Sequence, residues 1–76
     1  MAKSATKRLV VCLANEGYEA SLERWKIYVM LRDAGAEKHG LVRIIDESGE
    51  DYLYPKAMFR SVDLPQSVRR AMLSAA

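Results

Sequence analysis

From position 41 to 54 the side chains alternate with a period of two on either side of a short acidic segment, Asp46-Glu47-Ser48-Gly49. Val42 and Ile44 fall on one face while Leu41, Arg43 and Ile45 fall on the other, and past the acidic segment Tyr52 and Tyr54 oppose Asp51 and Leu53. Asp46, at the first position of a type I turn, accepts a hydrogen bond from the backbone just downstream, and Gly49 at the fourth supplies the positive φ that closes a hairpin with a bulge. The pattern predicts two paired strands with apolar side chains on both faces. Pro55 has no N–H to give to a ladder, so the second strand is expected to stop at Tyr54, with residues 56–59 making one helical turn and residues 60–62 a short final strand.

The same period recurs upstream. Leu9, Val11 and Leu13 alternate with Val10, Cys12 and Ala14, which suits a first strand buried on both sides and ended by the turn residues Asn15-Glu16-Gly17. Residues 19–32 carry two competing periods. Leu22, Trp25 and Val29 share a helical stripe, yet Trp25, Ile27, Val29 and Leu31 alternate with Lys26, Tyr28, Met30 and Arg32. A lone hairpin is marginal in water and needs neighbours to bury its faces, so a strand over residues 25–32 is the consistent choice. Residues 33–40 read as a polar connection punctuated by Gly35 and Gly40. After Pro65, acceptable at a first helical position, Leu64, Val68 and Met72 recur every four residues and predict a terminal helix flanked by Arg69 and Arg70.

Composition adds limits. A chain of 76 residues, 50% of them apolar, supplies one core, because a domain this small buries only about 60% of its unfolded surface. A net charge of +2 is too weak to hold a polyanion by bulk electrostatics. The single cysteine, Cys12, excludes an internal disulfide and every multi-cysteine zinc pattern, so a cytoplasmic location is expected. The apolar run 9–14 is shorter than the roughly 7–15 residues of a signal-peptide core, and no run approaches the roughly 20 that cross a bilayer, so no membrane partner is expected.

The run Gly49-Glu-Asp-Tyr-Leu-Tyr-Pro-Lys-Ala-Met-Phe-Arg-Ser-Val resembles the last hairpin, proline, helical turn and closing strand of a Src-homology-3-like (SH3-like) barrel. Leu22-x-x-x-Lys-Ile-Tyr-x-Met resembles the entry into that fold's second strand. The resemblance spans residues 9–64 and implies a mainly β chain with a five-stranded SH3-like barrel over 8–64 and a single helical turn before the last strand; the small, polar and basic residues 1–7 are expected to form a flexible N-terminus, and the four-residue spacing after Pro65 a short C-terminal α-helix over 65–76 packed on the barrel. Lys26-Ile-Tyr followed by Arg43-Ile-Ile-Asp-Glu-Ser-Gly-Glu-Asp-Tyr-Leu-Tyr-Pro is further similar to small bacterial proteins of this barrel type, and that similarity implies no defined activity. Of the features with which Src-homology-3 domains read proline-rich peptides, only Pro55 carries over; there is one tryptophan, and Met58 stands where the family's tyrosine belongs, with Phe59 one step beyond.

Three function classes remain to be weighed. For catalysis, Asp46, Glu47, Glu50 and Asp51 lie close in sequence but lack calcium-loop spacing and read as a solvated turn; His39 has no second ligand nearby, Ser21, Ser48 and Ser61 have no evident base, and Cys12 lies in an apolar run. No enzyme, cofactor, metal or small-molecule substrate is expected. For nucleic acid, Lys26, Arg43, Lys56, Arg60, Arg69 and Arg70 offer phosphate contacts and Tyr28, Tyr52 and Tyr54 offer stacking faces. For protein association, with another protein or a second copy of the chain, Tyr18, Trp25, Tyr28, Tyr54, Met58 and Phe59 are types that favour interfaces. The leading expectation is a non-catalytic interaction module whose binding residues are drawn from Trp25, Tyr28, Tyr52, Tyr54, Pro55, Phe59, Arg43 and Arg60, with a nucleic-acid-binding barrel as the alternative.

Overall fold

The structure, a computed structural model, describes residues 7–75. Five strands, β1 (Lys7–Cys12), β2 (Ile27–Leu31), β3 (Leu41–Ile45), β4 (Asp51–Pro55) and β5 (Phe59–Ser61), form one antiparallel sheet in the order β4-β3-β2-β1-β5. A short helix, α1 (Ala34–Lys38), lies between β2 and β3, a 3-10 turn (Lys56–Met58) precedes β5, and α2 (Gln66–Ala75) ends the chain. The fold is mainly β.

The alternation seen in the sequence decides what is inside. Val10 pairs with Tyr28, Met30 with Ile44, Val42 with Tyr54 and Cys12 with Phe59, so one face of every strand contributes to a single apolar cluster. A flat sheet cannot bring its two edge strands into one cluster; the sheet therefore curls around it. Leu22, from the β1–β2 connection, enters the same cluster and is 1% exposed. Burying a leucine side chain to this degree contributes about 2 kcal/mol. The outer face is covered in part: Leu9 and Val29 are buried opposite one another, and Met72 of α2 borders the same outer groove.

Several boundaries differ from expectation for identifiable reasons. The hairpin turn forms as its residues dictate, with Gly49 at φ +86°, its N–H donating to the Asp46 carbonyl at 3.0 Å and the Ser48 N–H donating to Asp46 Oδ1 at 2.9 Å. Trp25, expected to open the second strand, is instead in the left-handed region at φ 69°, and β2 begins at Ile27. The N–H of Trp25 donates to the Cys12 carbonyl at 2.7 Å and the N–H of Cys12 donates to the Lys26 carbonyl at 2.9 Å, so pairing with β1 holds the bend in place. Residues 33–40, read as a polar connection, contain α1, because Asp33 caps it by accepting the Ala36 N–H at 3.0 Å and Glu37 reaches back to the Asp33 N–H at 3.2 Å. β1 ends at Cys12 rather than Ala14, since the Leu13 N–H turns to the Met58 carbonyl at 2.7 Å. β4 keeps Pro55, which sits opposite Leu41 on an edge strand where its missing N–H leaves no neighbour unpaired; the 3-10 turn is one residue shorter, β5 starts at Phe59, and α2 starts at Gln66. Of the expected flexible segment, residues 1–6 lie outside the described residues, and Lys7 opens β1.

Candidate functional site

The curled sheet has two ends. At one, the β1–β2 connection and the β3–β4 turn meet; at the other, the start of β1, the end of β2, α1, the 3-10 turn and the end of β5 meet.

At the first end the acidic turn is knitted to tyrosines. Tyr54 Oη donates to Asp46 Oδ2 at 2.6 Å and lies 3.1 Å from Ser21 Oγ, while Ser48 Oγ donates to Asp46 Oδ1 at 2.5 Å. Tyr28 Oη donates to Glu47 Oε2 at 2.6 Å, Lys26 Nζ donates to the same oxygen at 2.6 Å, and Tyr52 Oη donates to Glu50 Oε1 at 3.0 Å. The Glu47 N–H donates to the Ser21 carbonyl at 3.1 Å, fastening the loop that carries Leu22 onto the hairpin. Asp46 is only 6% exposed, which corrects its reading as part of a solvated turn. Burial alone pushes its carboxyl up, but the hydrogen bonds from Ser48 and Tyr54 together outweigh that and hold it below the usual carboxylate range. Glu47 is held low by Lys26 and then by Tyr28. Burial first, and the carboxylate partner second, push the hydroxyls of Tyr54 and Tyr28 up.

The four acids of the turn do not converge on a common point: Asp51 accepts from Arg43 Nη1 at 3.0 Å, and the other three accept from the tyrosines named above. Among the described residues, no group of three or more His, Cys, Asp or Glu side chains is placed to hold a metal ion. Cys12 is fully buried, its Sγ 3.2 Å from the Ala14 carbonyl, and burial pushes its thiol up.

Over this network a shallow groove of about 410 Å³ is lined by Tyr18, Tyr52, Leu53 and Tyr54 together with Ser21, Asp46 and Ser48. Tyr18 stands edge-on to Tyr54 with ring centroids 5.0 Å apart. Tyr52 and Leu53 are successive strand residues and point to opposite faces of β4, so a groove touching both reaches the strand's outer edge there. β4 is the last strand on its side of the sheet. Tyr52 is 50% exposed and Leu53 41%.

The second end is open. Inner-facing Val10, Met30, Val42 and Phe59 floor a cavity of about 300 Å³, and Arg8, Lys56, Arg60 and Glu37 surround it.

The expected binding residues are thus divided. Tyr28, Tyr54 and Phe59 come together, but in the core, with Phe59 edge-on to both tyrosines at 6.4 and 6.2 Å. That placement packs their rings mainly against one another. Trp25 is 65% exposed with the Arg24 guanidinium 5.2 Å from its ring centre, Tyr52 lines the groove, and Arg60 borders the cavity, in three different places. Pro55 is half-buried opposite Leu41. Arg43 is occupied on the outer face, its Nε donating to Asp33 Oδ2 at 2.9 Å while Nη1 donates to Asp51. Leu53 escaped the sequence reading because an outward leucine on an edge strand carries no signal until the strand order is known; Arg8 escaped because its register with Val10 becomes visible only with the pairing of Arg8 to Met30.

No family model, curated protein or solved structure matches this chain. Among the described residues, no helix is long and apolar enough to cross a membrane.

Proposed function

We propose that this chain is a non-catalytic, SH3-like protein-interaction module, and that it takes up an extended peptide segment along the free edge of β4. The observation that carries this reading is the groove that reaches that edge, where Tyr52 and Leu53 flank a row of backbone groups unpaired among the described residues and Tyr18 supplies a third wall. Strand addition uses such an edge for main-chain hydrogen bonds and neighbouring side chains for selectivity. The adjoining turn carries Asp46, Glu47, Glu50 and Asp51, of which, among the described residues, Glu47 and Asp51 alone are paired with a cation, so a segment alternating apolar and basic residues complements it. The same chemistry weighs against base stacking, because each tyrosine that would stack donates its hydroxyl to a carboxylate, and carboxylates repel phosphate.

The test is a titration of backbone amide shifts with an amidated heptapeptide alternating valine and lysine, alongside its counterpart with glutamate for lysine. The lysine peptide is expected to perturb residues 51–54 saturably, less so in Leu53→Asp, and the glutamate peptide to perturb them weakly. Equal responses to both peptides, or none along β4, would overturn the reading. Retention of a mixed single-stranded oligonucleotide, released steeply by salt, would favour the nucleic-acid alternative instead.

A further inference from the structure

We propose that the open end of the curled sheet is a second binding site, for a small apolar monocarboxylate. Its floor is an open part of the inner face: Val10, Val42 and Phe59 reach the cavity from three strands, and Met30, half-buried, forms its most accessible apolar surface. The inner-facing register then changes character at the rim. In β1 the series Arg8, Val10, Cys12 runs from cation to core, and in β5 the series Phe59, Ser61 runs from core to hydroxyl. Arg8, Lys56 and Arg60 surround the opening, and among the described residues none of them forms an ion pair. The one acid at the rim, Glu37, has a carboxylate oxygen turned to the Asp33 N–H at 3.2 Å.

An apolar floor under a rim with three cations and one acid suits a ligand with a short hydrocarbon part and an anionic head. A volume of about 300 Å³ is at the lower limit of ligand cavities, which sets the hydrocarbon at a few carbons to a medium chain. Arg8 offers a planar fork that matches a carboxylate, and Lys56 offers a point charge beside it. This site is at the far end of the sheet from the β4 groove, so either can fail without the other.

The experiment is an amide- and methyl-shift titration of the full chain with octanoate, octylamine and acetate as probes. Octanoate is expected to shift Met30, Val42 and Phe59 saturably, with octylamine and acetate at least tenfold weaker, and the double variant Arg8→Gln, Lys56→Gln is expected to weaken octanoate about fivefold to tenfold while leaving the remaining spectrum unchanged. Octylamine matching octanoate would show that the cations are irrelevant, and acetate matching it would show that the cavity is; either result overturns the proposal. Octanoate shifts confined to the outer groove at Leu9, Ile27 and Met72 would overturn it as well.

Discussion

The two ends of the curled sheet are made from the same alternating strands, yet one consumes its polar groups internally and the other leaves them exposed. At the closed end Leu22 fills the interior and every carboxylate of the turn accepts from a side chain of the same chain. At the open end the floor is apolar and the cations above it have no carboxylate partner among the described residues. In a domain this small, burying one end tightly supplies stability, and that leaves the other free to carry groups that contribute nothing to folding.

The sharpest way to break that comparison is to remove the plug. Leu22→Ala is expected to cost about 3 kcal/mol, because the leucine touches a closed core and the loop tied down by Ser21 and Asn15 cannot collapse into the space. Urea unfolding monitored by circular dichroism reads this directly. A loss below about 1 kcal/mol would mean that the closed end is not where the stability resides.

A smaller effect is expected from Tyr54→Phe. The ring stays in place against Tyr18 and Phe59, but the nearly buried Asp46 carboxylate loses the donor on its Oδ2 and keeps those of Ser48 on Oδ1. A hydrogen bond to a charged group of this kind contributes about 2 kcal/mol. Tyr28→Phe should cost less, since Glu47 is exposed and retains Lys26.

The same pairs set a pH window. Asp46, Glu47 and Asp33 have depressed pKa values in the folded chain, so their contribution is fully present above the unfolded value near 4 and is lost as pH falls through the folded values. Tyr28, Tyr54 and Cys12 are raised, so theirs is present below unfolded values of about 10 for tyrosine and about 8.5 for cysteine, and is lost as pH rises through the folded values. The urea midpoint should therefore be flat between about pH 5 and about pH 8 and fall on both sides. A Tyr28→Phe, Tyr54→Phe double variant should keep an acid limb, through Asp33 and Lys26-paired Glu47, and lose most of the alkaline one. An unchanged alkaline limb would detach the tyrosines from the closed end's stability.

How much of this was legible beforehand follows from the range of each interaction. The β3–β4 hairpin was readable because Asp46, Ser48 and Gly49 settle their turn within four residues, and the alternation of Val42 and Ile44 fixes the inner face locally. The strand character of residues 27–31 was readable against a competing helical stripe because five strands had to share one core. The bend at Trp25 was not, since it depends on the Cys12 carbonyl, and the burial of Asp46 was not, since it depends on Tyr54 and on Ser21 from a distant loop. The helix α1 was hidden by two glycines and revealed by its Asp33 cap. Of the expected aromatic binding residues, Tyr28, Tyr54 and Phe59 went to the core, where the curled sheet needs large side chains to fill it, while Trp25 and Tyr52 stayed exposed.

The least expected effect is at the open end, and it is the more telling for being small. Arg8→Gln with Lys56→Gln is expected to change stability by no more than about 0.5 kcal/mol, since both side chains are exposed and neither has an ion-pair partner among the described residues. If the sign is resolvable it should be stabilising, because two like charges at one rim repel, and the gain should shrink as salt rises from about 0.01 M to about 0.15 M and the screening length falls from about 30 Å to about 8 Å. A loss of 1 kcal/mol or more in the same urea experiment would mean that these cations hold the fold as the tyrosines do, and the two ends would then differ in composition but not in role.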